Sequence, residues 1–249
     1  MVPNQLQVEI AVQDVAGVRI ALEQGAARVE LCQALGLGGL TPSAGLIEAA
    51  VAAAADASTP GFVHVLVRPR GGGFVYDADE LDTIARDIRL AGGLGADGVV
   101  VGALTETGAL DERAIAAFVA AADGIDVTVH RAVDASADPV ASVLALPGLG
   151  VRRVLTSGGG VDCRAGLPAL ERMVAEVGGR LEVMSGGGVR VPDIGDLAAA
   201  GVDAVHLSAR GRDERGGASG PGGGVDGFDV TDVVLVRAAV AAARTVRAD

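Results

Sequence analysis

Gly25-Ala-Ala-Arg-Val29, Gly95-Ala-Asp-Gly-Val99, Gly150-Val-Arg-Arg-Val154 and Gly201-Val-Asp-Ala-Val205 repeat one pattern, Gly-(Ala/Val)-x-x-Val. Each copy follows an alanine- or leucine-rich stretch and opens an apolar one. Glycine there releases a helix through the left-handed conformation into a short loop and then a strand. Four such exits suggest four βαβα units. Working outward from them, the sequence predicts strands near 6–11, 28–32, 61–68, 98–102, 126–130, 152–156, 181–185 and 203–207. Thr41-Pro42 and Asp138-Pro139 each set an N-cap before a proline at the first helical position, and Val191-Pro192 repeats the proline. The alanine-rich segments 48–55, 114–122 and 238–246 carry strong helix propensity. Eight strands alternating with eight helices imply a parallel sheet, and the fourfold repeat favours closure. The expected class is α/β, a single (β/α)8 TIM-type barrel with residues 1–249 as one domain. An open dinucleotide-binding sheet would show Gly-x-Gly-x-x-Gly after its first strand, where this chain has Ala11-Val12-Gln13-Asp14. Residues 211–227 are glycine-rich without apolar period, so a mobile loop is expected after the eighth strand, either a lid or a tolerated insertion.

Composition narrows the function. Half of the 249 residues are apolar, ample for one large core. A net charge of -12 repels phosphate backbones and anionic lipid, so nucleic acid and membrane surfaces are poor partners. Aromatics, at 2%, are too few for base-stacking platforms. All 20 basic residues are arginine. Without lysine there is no Schiff-base aldolase, no internal pyridoxal aldimine and no Walker-type phosphate lysine. The start, MVPNQLQVEI, lacks the basic and long apolar regions of a secretory signal, and no run of 18 apolar residues occurs. Two cysteines, Cys32 and Cys163, form no dense framework, which suits a reducing, cytoplasmic location. The sequence leaves room for a homo-oligomer.

In a barrel, polar residues at the carboxyl ends of strands tend to serve function, above an interior packed with apolar side chains. Glu9, Glu30 and Cys32 stand on the first two strands. The third runs His64-Val-Leu-Val-Arg68-Pro-Arg70 into Gly71, and the fifth ends His130-Arg131-Ala-Val-Asp134. The sixth, seventh and eighth end Ser157-Gly158-Gly159, Ser185-Gly186-Gly187 and His206-Leu-Ser208-Ala-Arg210. The two Ser-Gly-Gly-Gly turns let backbone N–H groups converge on an anion, although glycine also merely fits tight turns. Arg68 and Arg70, two apart, either clamp a carboxylate or phosphate or pair with Glu9 and Glu30 as a structural network. An anion site is expected from Glu9, Arg68, Arg70, Arg131, Ser157, Gly158, Gly159, Ser185, Gly186, Gly187, His206, Ser208 and Arg210. Glu30, His130 and Asp134 are the candidates for proton transfer, and His64, earlier in its strand, reads as a satisfied interior residue. Cys32 and Cys163 are expected on nearly opposite walls of the mouth, too far apart to share a soft metal ion.

Leu6 to Ile10, Arg28-Val-Glu-Leu-Cys32, Gly38-Gly-Leu-Thr-Pro-Ser43, Arg68-Pro-Arg-Gly-Gly72, His130-Arg-Ala-Val-Asp134, Leu155-Thr-Ser-Gly-Gly159, Gly186-Gly-Gly-Val189 and His206-Leu-Ser208 stand in this order. Along nearly its whole length the chain resembles the copper homeostasis protein CutC family. The resemblance implies a TIM-type barrel, a cytoplasmic location and copper handling, with Cu(I) bound by cysteine and Cys32 the one metal ligand it carries over. Ala11 stands where the family often has cysteine, Gly73 where aspartate is common, and Val133 where phenylalanine is usual. The departures thin the thiols and leave the polar mouth nearly whole. Two functions stay open: a copper-binding homeostasis protein, and an enzyme or binding protein for a small anionic metabolite.

Overall fold

The computed structural model describes residues 5–214, 220 and 227–246. Eight parallel strands close into a barrel: β1 Gln7–Val12, β2 Arg28–Leu31, β3 Val63–Leu66, β4 Gly98–Val101, β5 Asp126–Val129, β6 Arg153–Thr156, β7 Glu182–Ser185 and β8 Ala204–Leu207. Closure is made by β1, which pairs with β2 on one side and β8 on the other, setting Glu9 opposite both Arg28 and His206. The surrounding helices are α1 Val15–Gln24, α2 Ala44–Asp56, α3 Ala78–Gly93, α4 Glu112–Ala122, α5 Pro139–Ala145, α6 Leu167–Val177, α7 Ile194–Ala199 and α8 Val233–Thr245. The repeated glycines do what their spacing predicts. Gly25, Gly95, Gly150 and Gly201 all have φ between 78° and 90°, the left-handed exit that a side chain would strain.

Period-two alternation divides each strand between two environments. The outward set, including Val8, Ile10, Val29, Leu31, Val99, Val101 and Val205, is buried against the helices and makes the main core. The inward set departs from the expected apolar filling. Glu9, Arg28, Glu30, His64, Thr128, His130 and Arg153 are buried, beside two small apolar clusters, Leu155 with Met184 and Ala204, and Leu66 with Val100 and Cys32. Charges removed from water need partners, and the two buried arginines have them. Arg28 reaches Glu9 at 2.7 Å and the Gln7 amide oxygen at 2.6 Å, and Arg153 reaches Glu182 at 2.6 Å and the Thr128 hydroxyl at 3.2 Å. His64 is interior as expected, yet its Nδ1 has no hydrogen-bond partner among the described residues, and burial pushes its pKa down to about 4.

Three local expectations are corrected. Ser43, not Thr41, caps α2, its hydroxyl accepting from the Leu46 N–H, while the Thr41 hydroxyl accepts from the Arg68 N–H and ties this loop to the end of β3. Val191–Asp193 is a single 3-10 turn, and the α-helix begins only at Ile194. The glycine-rich stretch does not begin as loop: β9 Arg210–Asp213 pairs antiparallel with β10 Phe228–Thr231, a ribbon rising from the end of β8. Residues 215–219 and 221–226, the heart of the expected mobile loop, lie outside the described residues.

Candidate functional site

The carboxyl ends of the strands surround a cavity of about 270 Å³. Its polar lining is Glu30, Arg68, His130, Arg131, His206, Ser208 and Arg210, and its apolar lining includes Ala11, Leu35, Leu66, Phe74, Leu155 and Val189. Of the residues singled out from sequence, those seven polar ones and Gly187 meet here. Phe74, 5.0 Å from the His130 ring and 5.2 Å from the Arg68 guanidinium carbon, was not singled out; it lies in a loop without periodic pattern.

Along one wall runs a chain of ionisable groups. His206 Nδ1 lies 2.7 Å from Glu9, and its Nε2 lies 3.8 Å from Glu30. Burial alone would raise the Glu9 pKa, but the His206 hydrogen bond and the Arg28 charge outweigh it and hold Glu9 well below the usual range. Burial pulls His206 toward its neutral form, and Glu9 with Glu30 overcomes that, leaving its pKa raised. Glu30 has no such partner. Burial and the Glu9 charge push it up to about 7 against the pull of His206. Because Nδ1–H donates to Glu9, Nε2 carries a proton only when the ring is charged. His130 differs: its Nδ1 accepts from the Ala132 N–H at 3.1 Å, and burial with the Arg68 charge pushes its pKa down to about 3. It is a neutral imidazole whose Nε2 has no hydrogen-bond partner among the described residues.

Arg68 donates to the carbonyls of Leu37, Gly38, Gly39 and Gly72 at 2.8–3.3 Å, clasping the loops after β2 and β3. It forms no ion pair among the described residues. Arg131 pairs with Asp134 at 2.8 Å and Arg210 with Asp229 at 3.2 Å. Gly187, at φ 87°, lies so close to Arg131 that a Cβ would come within 2.9 Å of its guanidinium carbon. The N–H groups of Gly187 and Gly188 have no acceptor among the described residues, whereas the Gly186 N–H donates to the Thr156 carbonyl.

Several expected residues are placed elsewhere. Arg70 is drawn to Glu80 and over the Tyr76 ring, so the twin-arginine clamp does not form. β3 ends at Leu66, before both arginines, so the alternation that would align them has already lapsed. Neither glutamate pairs with Arg68 or Arg70; Glu9 sits in the lumen with Arg28 and His206. Ser185 is buried on the outer side of β7, because Met184 takes the lumen. The turn at 157–159 is filled from within. Asp134 accepts from the Thr156 hydroxyl, the Ser157 N–H and hydroxyl, the Gly159 N–H and Arg131. So many donors leave it no role as a free base, and Ser157, Gly158 and Gly159 no room for a second anion there.

Cys32 is buried among Leu35, Leu66 and Val100, its thiol 3.6 Å from the Val12 carbonyl. Burial and the nearby Glu30 push its pKa up, away from the thiolate that binds copper. Met184, another soft donor, is engaged by Arg28 at 3.6 Å, and Cys163 lies in the separate outer core. This donor set does not fit a tight Cu(I) site within one chain, which needs two or more soft ligands. Among the described residues no helix is long and apolar enough to cross a membrane.

Known proteins resemble this chain in sequence and in fold. The sequence matches the family described as "CutC family" over residues 6–211. A CutC of Pasteurella multocida is 38% identical over 83% of this chain and 83% of its own length. The human copper homeostasis protein cutC homolog is 39% identical over 83% of this chain and 74% of its own. A crystal structure of a CutC from Streptococcus agalactiae superposes with a TM-score of 0.76 at 31% identity, covering 82% of this chain and 98% of that one. A thiamine phosphate pyrophosphorylase of Pyrococcus furiosus, at 15% identity and a TM-score of 0.59, shares the barrel fold alone. With the matched region spanning all eight barrel strands, β1 to β8, and the fold superposing on that of the solved relative, the chain belongs to the CutC family.

Proposed function

We propose that the chain works through the mouth of its barrel, as a site for a small organic anion bearing a carboxylate or phosphate. One observation carries the reading: Arg68, Arg131 and Arg210 line a half-apolar cavity in a chain whose net charge is -12. The apolar side suits a carbon skeleton, and the arginines with the Gly187 and Gly188 amides suit its charged end. The cytoplasm is the compartment we infer, supported by two buried, unpaired thiols.

Titration calorimetry with inorganic phosphate at low salt tests the reading. One site per chain is expected, and Arg210→Ala should weaken it about tenfold or more, as the loss of a charged hydrogen bond does. Absent binding, or binding indifferent to Arg210→Ala, would overturn it.

Copper handling is the second reading, supported by the name of the human relative. On the buried Cys32 thiol it requires either rearrangement of the mouth or ligands from a second chain.

A further inference from the structure

Glu9, His206 and Glu30 come from three strands, and two of them face the half-apolar cavity. Such an array has a cost. Three ionisable groups share a largely buried space, where a hydrophobic or hydrogen-bonded neutral set would be cheaper. Structural pairing explains Glu9, which neutralises Arg28. It does not explain Glu30, which stands at the cavity with no hydrogen bond among the described residues and only a 3.8 Å approach to His206.

We infer that Glu30 and His206 are an acid–base pair that enolises a small 2-oxo or hydroxycarbonyl anion bound in the mouth, with Glu9 as the positioning residue. The inference rests on the anion reading above. Other chemistries lack their parts: the chain has no lysine, the Cys32 thiol is buried, and Ser208 has no hydrogen bond to a base among the described residues. Proton transfer needs only the groups present.

In the step, the Glu30 carboxylate removes the proton from the carbon beside the carbonyl. The C–H electron pair becomes the C=C bond, and the carbonyl pair moves onto oxygen, which takes a proton from His206 Nε2. Reversal with a solvent-exchanged Glu30 proton returns the ligand labelled. Delivery to the neighbouring carbon, with the hydroxyl proton passing to His206, completes a 1,2-isomerisation. Nothing external is oxidised or reduced.

The groups facing the pair are Glu9 from β1, Arg28 from β2, His64 from β3, Arg131 after β5 and Arg210 on β9. Burial and the Glu9 charge, against the pull of His206, set Glu30 near 7, so its base form grows as pH rises through neutrality. The acidic form of His206 is held up by Glu9 and is lost at higher pH. The rate is therefore a bell.

Proton NMR in D2O measures the exchange, with dihydroxyacetone phosphate, ribulose 5-phosphate and pyruvate as probes. The wild type should deuterate at least one of them. Glu30→Gln should lose the exchange about 100-fold, the low end for a removed general base, while still binding phosphate. Glu9→Gln should move the alkaline limb of the profile to lower pH; a merely structural Glu9 would lower the rate and leave the limb in place, removing Glu9 from the proposal. No exchange on any probe while phosphate binds overturns the acid–base pair and spares the anion pocket. Loss of phosphate binding in the wild type overturns both. Equal exchange by wild type and Glu30→Gln shows Glu30 idle and also overturns the pair.

Discussion

Asp134 gives the residue scale its main lesson. From the sequence, Thr156-Ser-Gly-Gly159 reads as a cradle for an anion, and the structure supplies an anion to it, the Asp134 carboxylate from the loop after β5. Residue type predicted the chemistry of the turn; the occupant was hidden because 23 residues separate Asp134 from Ser157. Cys32 is the opposite case, a ligand type in a place that suppresses it. Its thiol sits in an apolar cluster, and burial stabilises the protonated form. Cu(I) titration against a competing chelator should therefore show weak binding by the isolated chain, changed less than about threefold by Cys32→Ser, since one unionised thiol is no match for paired soft ligands. Tight one-to-one binding that Cys32→Ser abolishes would show that the thiol ionises and that copper belongs to this site.

At the scale of elements, β4 shows how strand composition shapes the site. It is bounded by Gly98 and Gly102, and a Cβ on either would fall 2.4 Å from an imidazole, that of His64 or His130. The small residues leave the lumen space for two rings, a requirement that strand propensity alone would never suggest. Gly102→Ala should cost about 1–3 kcal/mol, the usual range for overpacking, read from urea unfolding. Combined with His130→Ala, which empties the space, the cost should be partly recovered. An additive double mutant would mean that the two residues do not share the space. The strands themselves were legible in sequence because glycine exits and valine runs are local signals. Helix starts were legible where the cap precedes proline, as at Asp138, and missed at Thr41, whose hydroxyl is spent on the Arg68 N–H instead.

For the whole molecule, the opposition of charge matters most. A chain of net charge -12 gathers three arginines at one end of its barrel and keeps paired charges down the lumen beneath them. The site's membership was largely readable, since carboxyl ends of strands converge in any closed barrel. Its wiring was not. Glu9 and His206 are 197 residues apart, and only closure of β1 on β8 makes them partners. Arg28 and Arg153 went unnoticed because they sit at the starts of strands, where the expectation was an apolar filling. The most direct test of the anion reading is the position of phosphate in crystals soaked near pH 6. The account predicts one phosphate in the cavity, within hydrogen-bond reach of Arg131 or Arg210 and the amides of Gly187 and Gly188. Phosphate displacing Asp134 from the 157–159 turn, or a cavity left without it at saturating concentration, would contradict the account.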